Sequence, residues 1–250
     1  MKVKNILVSQ PQPADLEKSP YNDLISKYKV NVDFQKFIKI EGVTASDFRK
    51  DKVYIQDHTA IIFTSRNAVD HFFRIAKEMR VEIPDTMKYF CISEATAFYL
   101  QKYVQFRKRK IFHGQQDFND LVEIIKKHKD ERFLLPCSDI HKLSLVKKLD
   151  GSKVKYSKAV IYKTLASDLS EMDINKYDLL VMFSPAGVKS LMMNFPDIKE
   201  NNKLIGAFGP STQKALKDAG LKVDIAAPTK TALSMTVAIE QYLEKQNKKK

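Results

Sequence analysis

The stretch Ile61–Phe73 (IIFTSRNAVDHFF) has a near copy at Leu180–Met192 (LVMFSPAGVKSLM), and this repeat limits what the chain can fold into. In each copy an apolar run is followed by a short polar turn and then an amphipathic run. The order predicts a buried strand, a turn and a helix. A strand of a parallel sheet is covered on both faces and so reads as continuous apolar residues. Ser65 aligns with Ser184, Val69 with Val188, and Phe72-Phe73 with Leu191-Met192. Either serine can cap its helix, and the turn then presents backbone N–H groups suited to an anion. A second step repeats as well: Ile92-Ser93-Glu94-Ala95-Thr96-Ala97 lines up with Phe208-Gly209-Pro210-Ser211-Thr212-Gln213. Two sets of alternating strands and helices predict two similar α/β domains, each with a parallel sheet. Such sheets take ligands beyond the carboxyl ends of their strands. Both serine turns fall at those ends, so a cleft between the domains is the expected site.

Further elements follow from local pattern. Asn5–Ser9 predicts a first strand, and Pro20 the first position of a helix to about Tyr28. Val30–Phe34 alternates as a strand with one solvated face, and Phe37–Ile40 continues as a crossing segment broken at Glu41-Gly42. Thr44 or Ser46 suits the cap of a short helix. Strands are expected at Tyr89–Ser93, Lys110–Phe112, Arg132–Pro136 and Lys153–Lys163, the last closing near Tyr162. Helices are expected from Glu94, from Asp117, and after Ser138-Asp139 to Gly151. Thr164–Tyr177 reads as polar loop. Leu204–Gly209 and Val223–Ala226 read as the last strands. Pro210-Ser211-Thr212 reads as a turn, Gln213–Ala219 as a helix closed by Gly220, and Ala232–Leu243 as the last helix.

Composition narrows the function. The 250 residues are 44% hydrophobic, with no apolar run long enough for a membrane span or a signal peptide, so a cytoplasmic protein is expected. There are 43 Lys+Arg against 30 Asp+Glu, a net charge of +13, which favours an anionic partner. Basic clusters stand at Arg107–Lys110 and Lys245–Lys250, without the interleaved aromatics of a nucleic-acid surface. Seven glycines in no nucleotide-binding pattern, five histidines (His58, His71, His113, His128, His141) without ligand spacing, and the separated Cys91 and Cys137 predict no metal and no cofactor. The histidines read as surface residues, with His71 on the polar side of its helix. The cysteines read as buried thiols.

What remains is a set of hydroxyl-bearing turns: Thr64-Ser65-Arg66-Asn67, Ser93–Thr96, Cys137–Asp139, Ser184-Pro185-Ala186-Gly187 and Gly209–Thr212. Any one is explained by helix capping alone. Their matching places in two domains suggest carboxylate or phosphate binding. Tyr162, at the end of its strand, either packs or offers a phenol proton.

Through IIFTSRNAVDHFF, ISEATA, FLLPCSD, AVIYKT, MFSPAGV and FGPSTQKALKDAGLKV the chain resembles the uroporphyrinogen-III synthase family. The motifs are individually loose, but their order and spacing run from Ile61 to the C-terminus. The resemblance implies two flavodoxin-like domains, one inserted into the other. Residues 1–36 and 167–250 would form the first and 42–162 the second, with 37–41 and 163–166 as a two-stranded connector. It implies a monomeric, cofactor-free lyase that cyclises hydroxymethylbilane, a linear tetrapyrrole with eight carboxylates, with loss of water and inversion of the last ring. Tyr162 would be its acid. Thr64, Ser65, Arg66, Asn67, Ser93, Thr96, Ser138, Ser184, Pro185, Gly187, Ser211 and Thr212 would bind the substrate. Arg66, Ser93 and Gln213 depart from the family pattern. Arg66 is expected to meet a carboxylate or solvent, and Gln213 to face solvent. A binding protein that closes on a polyanion without chemistry is the alternative.

Overall fold

The computed structural model describes residues 3–115, 118–140 and 143–248. The chain opens with β1 (Asn5–Val8), α1 (Pro20–Tyr28) and β2 (Asn31–Phe34), followed by β3 (Ile38–Gly42) and α2 (Ala45–Lys50). Next come β4 (Ala60–Phe63), α3 (Arg66–Glu78), β5 (Lys88–Cys91), α4 (Glu94–Leu100) and β6 (Ile111–His113). Then follow α5 (Phe118–Lys126), β7 (Phe133–Ser138), α6 (Leu143–Gly151) and the long β8 (Tyr156–Ala166). The last part holds β9 (Leu179–Met182), α7 (Pro185–Asn194), β10 (Leu204–Phe208), α8 (Pro210–Asp218), β11 (Ile225–Ala227) and α9 (Met235–Asn247). Expected features at Asp117, His141 and Lys249-Lys250 lie outside the described residues.

The chain divides into two compact units, residues 1–39 with 165–250, and 40–164. In the first, the sheet order is β11-β10-β9-β1-β2, and every pair is parallel. This is the flavodoxin order, in which the first strand lies between the second and the third. In the second, the order is β3-β8-β7-β4-β5-β6. Matching β4 with β9 and β5 with β10, as the repeat requires, makes β7 and β8 the counterparts of β1 and β2. The two sheets therefore share one spatial order, with the chain entering it at a different strand.

Both repeat strands are buried on both faces. Ile61 and Phe63 belong to one core and Ala60 and Ile62 to another, all fully buried. Leu179 and Val181 divide from Leu180 and Met182 in the same way. Each such aliphatic side chain contributes about 1.5–3 kcal/mol by leaving water. The two free cysteines are buried, and burial pushes the Cys91 thiol up to about 12 and the Cys137 thiol up to about 11.

Several boundaries differ from expectation. β7 runs through Ser138, so Ser138 ends a strand and opens no helix. β8 continues past Tyr162 to Ala166, taking residues expected in a loop. It is flanked by β3, with the Val43 amide donating to Ile161 O at 3.0 Å and the Ser167 amide to Phe37 O at 2.9 Å. These bonds pair β3 with β8 in antiparallel fashion, and the pair lies at the edge of the six-stranded sheet. Pro210-Ser211-Thr212 begins α8, since Pro suits the first helical position, where its missing N–H costs nothing. α9 starts at Met235, because the Ser234 side chain accepts from the Val237 amide and caps it; Ala232 is buried ahead of it.

Candidate functional site

In the second unit, connections leave β4 towards β5 in one direction and β7 towards β8 in the other. The chain direction across the sheet thus changes between β4 and β7, and ligands of open α/β sheets bind beyond the carboxyl ends at such a point. Thr64 and Ser65 follow β4 there, and Ser138 ends β7. Ser65 has an extended backbone (φ −163°), and its Oγ accepts from the Ala68 amide at 3.1 Å, which caps α3. The same Oγ lies 3.2 Å from the Tyr162 hydroxyl.

Tyr162 reaches Ser65 because of a bulge. The β7–β8 register pairs Cys137 with Val160 but Ser138 with Tyr162, leaving Ile161 as the extra residue. Strict alternation would send Ile161 and Tyr162 to opposite faces. The bulge instead brings both into the core that packs under α3. Tyr162 is 7% exposed. Burial raises its phenol pKa, the Ser65 hydrogen bond pulls it back, and Cys137 and Asp139 push it up. The phenol is thus kept in its proton-bearing form.

Around it the hydroxyls are partnered. Ser138 Oγ contacts Thr164 Oγ1 at 3.0 Å, donates to Asp139 at 2.8 Å and accepts from the Ile140 amide. Burial pushes the Asp139 carboxyl up, but hydrogen bonds from the Thr164 amide, Ser138 and the Ile140 amide outweigh it and hold the group ionised. Ser93 caps α4 by accepting from the Thr96 amide, its Oγ 3.2 Å from Thr96 Oγ1. Arg66 is exposed, with its guanidinium 5.3 Å from the centre of the Tyr99 ring. Asn67 is exposed in the first turn of α3.

In the first unit the corresponding point lies between β1 and β9. Ser184 accepts from the Gly187 amide at 3.0 Å and caps α7, with Pro185 in the first helical position. The turn is tight, since a Cβ on Gly187 would lie 3.3 Å from Ser184 Oγ and 3.9 Å from Ser9 Oγ. One step along the sheet, Gly209 precedes α8 with φ +87°, and no side chain of the cap residue bonds the helix end. Ser211 is exposed there, whereas Thr212 is 1% exposed and faces inward. Gln213 does not simply face solvent: its Nε2 donates to Ala227 O at 3.3 Å.

Three side chains escaped the reading of the sequence. Ser9 stands beside the Ser184 turn, its amide donating to Val181 O at 2.9 Å. His71 is half-buried, its ring stacked on Tyr162 with centroids 5.2 Å apart and planes 20° from parallel, whereas His58, also expected at the surface, is 7% exposed. Burial first, and then the Arg74 charge, lower its pKa. Arg74 donates from Nε to His71 Nδ1 at 3.1 Å. The one available signal was the three-residue spacing of His71 and Arg74, which puts both on one side of α3. Among the described residues no group of three His, Cys, Asp or Glu side chains could hold a metal ion, and no helix is long and apolar enough to cross a membrane.

The chain resembles known proteins along most of its length. The family model described as uroporphyrinogen-III synthase HemD matches residues 19–236. The uroporphyrinogen-III synthase of Saccharomyces cerevisiae is 27% identical over 138 residues, a match that spans 50% of this chain and only 50% of that relative. Among solved structures, the uroporphyrinogen-III synthetase of Helicobacter pylori aligns over 96% of this chain and 99% of its own, with a TM-score of 0.61 and 16% identity. A mutant uroporphyrinogen III synthase of Thermus thermophilus aligns over 98% and 99%, with a TM-score of 0.57 and 13% identity. At such identities the two structures speak for the fold alone. With the family model covering both repeat copies and all but the ends of the chain, the protein belongs to the uroporphyrinogen-III synthase family.

Proposed function

We propose that the protein cyclises hydroxymethylbilane to uroporphyrinogen III, as a cofactor-free lyase of tetrapyrrole synthesis acting as a cytoplasmic monomer. The observation that carries this reading is the buried Tyr162 phenol, hydrogen-bonded to Ser65 at the carboxyl end of β4. A phenol kept protonated by burial is a competent proton donor. Its proton passes to the departing hydroxyl, which leaves as water while the pyrrole nitrogen supplies the electron pair. The terminal ring then attacks through its substituted carbon, giving a spiro intermediate that reopens and closes with that ring inverted. Loss of water from the free substrate needs no enzyme, so holding the chain folded for that attack is the main task.

The eight substrate carboxylates call for many donors, and the turns at Ser65, Ser93, Ser138, Ser184 and Ser211 supply hydroxyls and amides in both units. Thr64, Arg66, Asn67, Thr96, Pro185, Gly187 and Thr212 shape those turns. Of these, Thr96 and Thr212 are buried and serve the turns from within. The net charge of +13 draws the polyanion in, and its affinity falls as salt screens that attraction.

The test is to incubate purified protein with freshly made hydroxymethylbilane and resolve the porphyrinogen isomers. The type III isomer is expected. The type I isomer alone, formed at the spontaneous rate, would overturn the proposal and leave a binding protein.

A further inference from the structure

His71 and Arg74 form a linked pair on α3 whose effect converges on one ring. Arg74 is fixed at several points. Its Nη2 donates to Val43 O at 2.8 Å and Ile161 O at 3.2 Å, and its Nη1 to Glu78 at 2.7 Å. Space for the guanidinium comes from Gly42, where a Cβ would stand 2.6 Å from Arg74 Nη2. Its Nε donates to His71 Nδ1. A ring nitrogen that accepts carries no proton, so the imidazole is neutral, with its proton on Nε2. His71 therefore is not itself the acid. What it offers Tyr162 is a flat face, nearly parallel to the phenol ring.

Tyr162 is thus constrained twice, by the imidazole against its face and by Ser65 at its hydroxyl. We propose that His71, anchored by Arg74 in the space left by Gly42, is a positioning residue that fixes the ring plane of Tyr162 so that its hydroxyl stays at the carboxyl end of β4. The inference rests on the reading of Tyr162 as the proton donor. Without the imidazole, that face of the ring loses its support, and the ring gains torsional freedom that the remaining core contacts and the hydroxyl contact do not fully remove. Proton transfer is sensitive to such displacement, whereas the carboxylate-binding turns are untouched.

The experiment is a double-mutant cycle of His71→Ala and Tyr162→Phe, with His71→Phe and Arg74→Lys as further variants. Turnover of hydroxymethylbilane, thermal unfolding and the ring-proton NMR signals of Tyr162 (identified by their loss in Tyr162→Phe) are read together. His71→Ala is expected to lower kcat by roughly ten- to hundredfold, the scale of a small misplacement, with KM nearly unchanged. In the Tyr162→Phe background it should have no further effect on kcat. His71→Phe restores a flat face and should recover most of the loss. Arg74→Lys keeps the charge but cannot hold His71 and both carbonyls at once, so it should resemble His71→Ala. Tyr162 signals should move in His71→Ala and return towards their places in His71→Phe.

An additive cycle, or a His71→Phe variant no better than His71→Ala, would overturn the inference even if Tyr162→Phe is inactive. Unmoved Tyr162 signals in His71→Ala would overturn it whatever Tyr162 does in turnover. Full turnover by Tyr162→Phe would remove the acid and, with it, the catalytic meaning of the positioning.

Discussion

Ser93 and Gly209 occupy the same place in the repeat, yet they end their strands differently. Ser93 has an extended backbone (φ −149°) and turns its hydroxyl onto the Thr96 amide, closing the start of α4 from within. Gly209 takes φ +87° and ψ 148°, a region open essentially only to glycine, and caps nothing with a side chain. Its amide turns back to Ala227 O, and α8 begins with no cap from a side chain. The Ser93 step thus meets one helix-end amide with a side chain, and the Gly209 step meets none in that way. The units divide further, since among the described residues only the second carries a buried phenol at its switch point. On the function proposed above, the second unit would add the proton donor to turns that both units offer to carboxylates.

The largest test of that division is Tyr162→Phe. Losing a general acid costs about 10²–10⁴-fold in turnover, and we expect kcat to fall on that scale while KM stays near that of the wild type. Steady-state kinetics with isomer analysis reads both. An equal rise in KM would make Tyr162 a binding residue and erase the contrast.

Gly209→Ala probes the other side. A Cβ at Gly209 meets nothing within 4 Å, so the cost is conformational and not steric crowding. Forcing this backbone on alanine costs about 1–3 kcal/mol, visible in a denaturant titration. The turn relaxes, the open amides turn away, and KM should rise about tenfold with the loss of a hydrogen bond to a charged group. Since the proposed proton donor, Tyr162, belongs to the other unit, kcat should change far less.

Ser65→Ala joins the two themes, because that hydroxyl both caps α3 and meets Tyr162. Loss of the cap costs about 1 kcal/mol of stability. The Ser65 bond lowers the phenol pKa, so its removal raises it further above the usual 10.0. A proton donor works below its pKa; the alkaline limb of the rate profile should therefore move to higher pH in Ser65→Ala. A limb moving to lower pH would mean that another group titrates there.

How far the sequence foretold this follows from where the forces are local. Continuous apolar runs such as Ile61–Phe63 and Leu180–Met182 announce doubly covered strands, because burial acts on the residues themselves. Ser65, Ser93 and Ser184 as caps follow from hydroxyls placed before amphipathic runs. The bulge at Ile161 does not follow, since it is set by pairing between β7 and β8, and with it the facing of Tyr162 and His71 stays hidden. The same holds for Gln213, whose partner Ala227 belongs to the next strand but comes late in the chain. The shared strand order with a shifted chain entry also needs the pairings, because the repeat marks only β4–β5 and β9–β10.

The finest test is Ser93→Gly, which makes the second unit's turn resemble the first. The extended backbone at Ser93 suits glycine, and replacing a cap by glycine costs only a few tenths of a kcal/mol. Stability should thus hold, while the Thr96 amide loses the Ser93 hydroxyl and keeps only its backbone bond to Ser93 O at 3.1 Å. If an uncapped amide is what makes Gly209 useful, the variant should bind the substrate as well as the parent or slightly better, read as KM at low salt. A weaker KM would show that the Ser93 hydroxyl itself meets a carboxylate, and that the two turns differ in how they bind and not in whether they do.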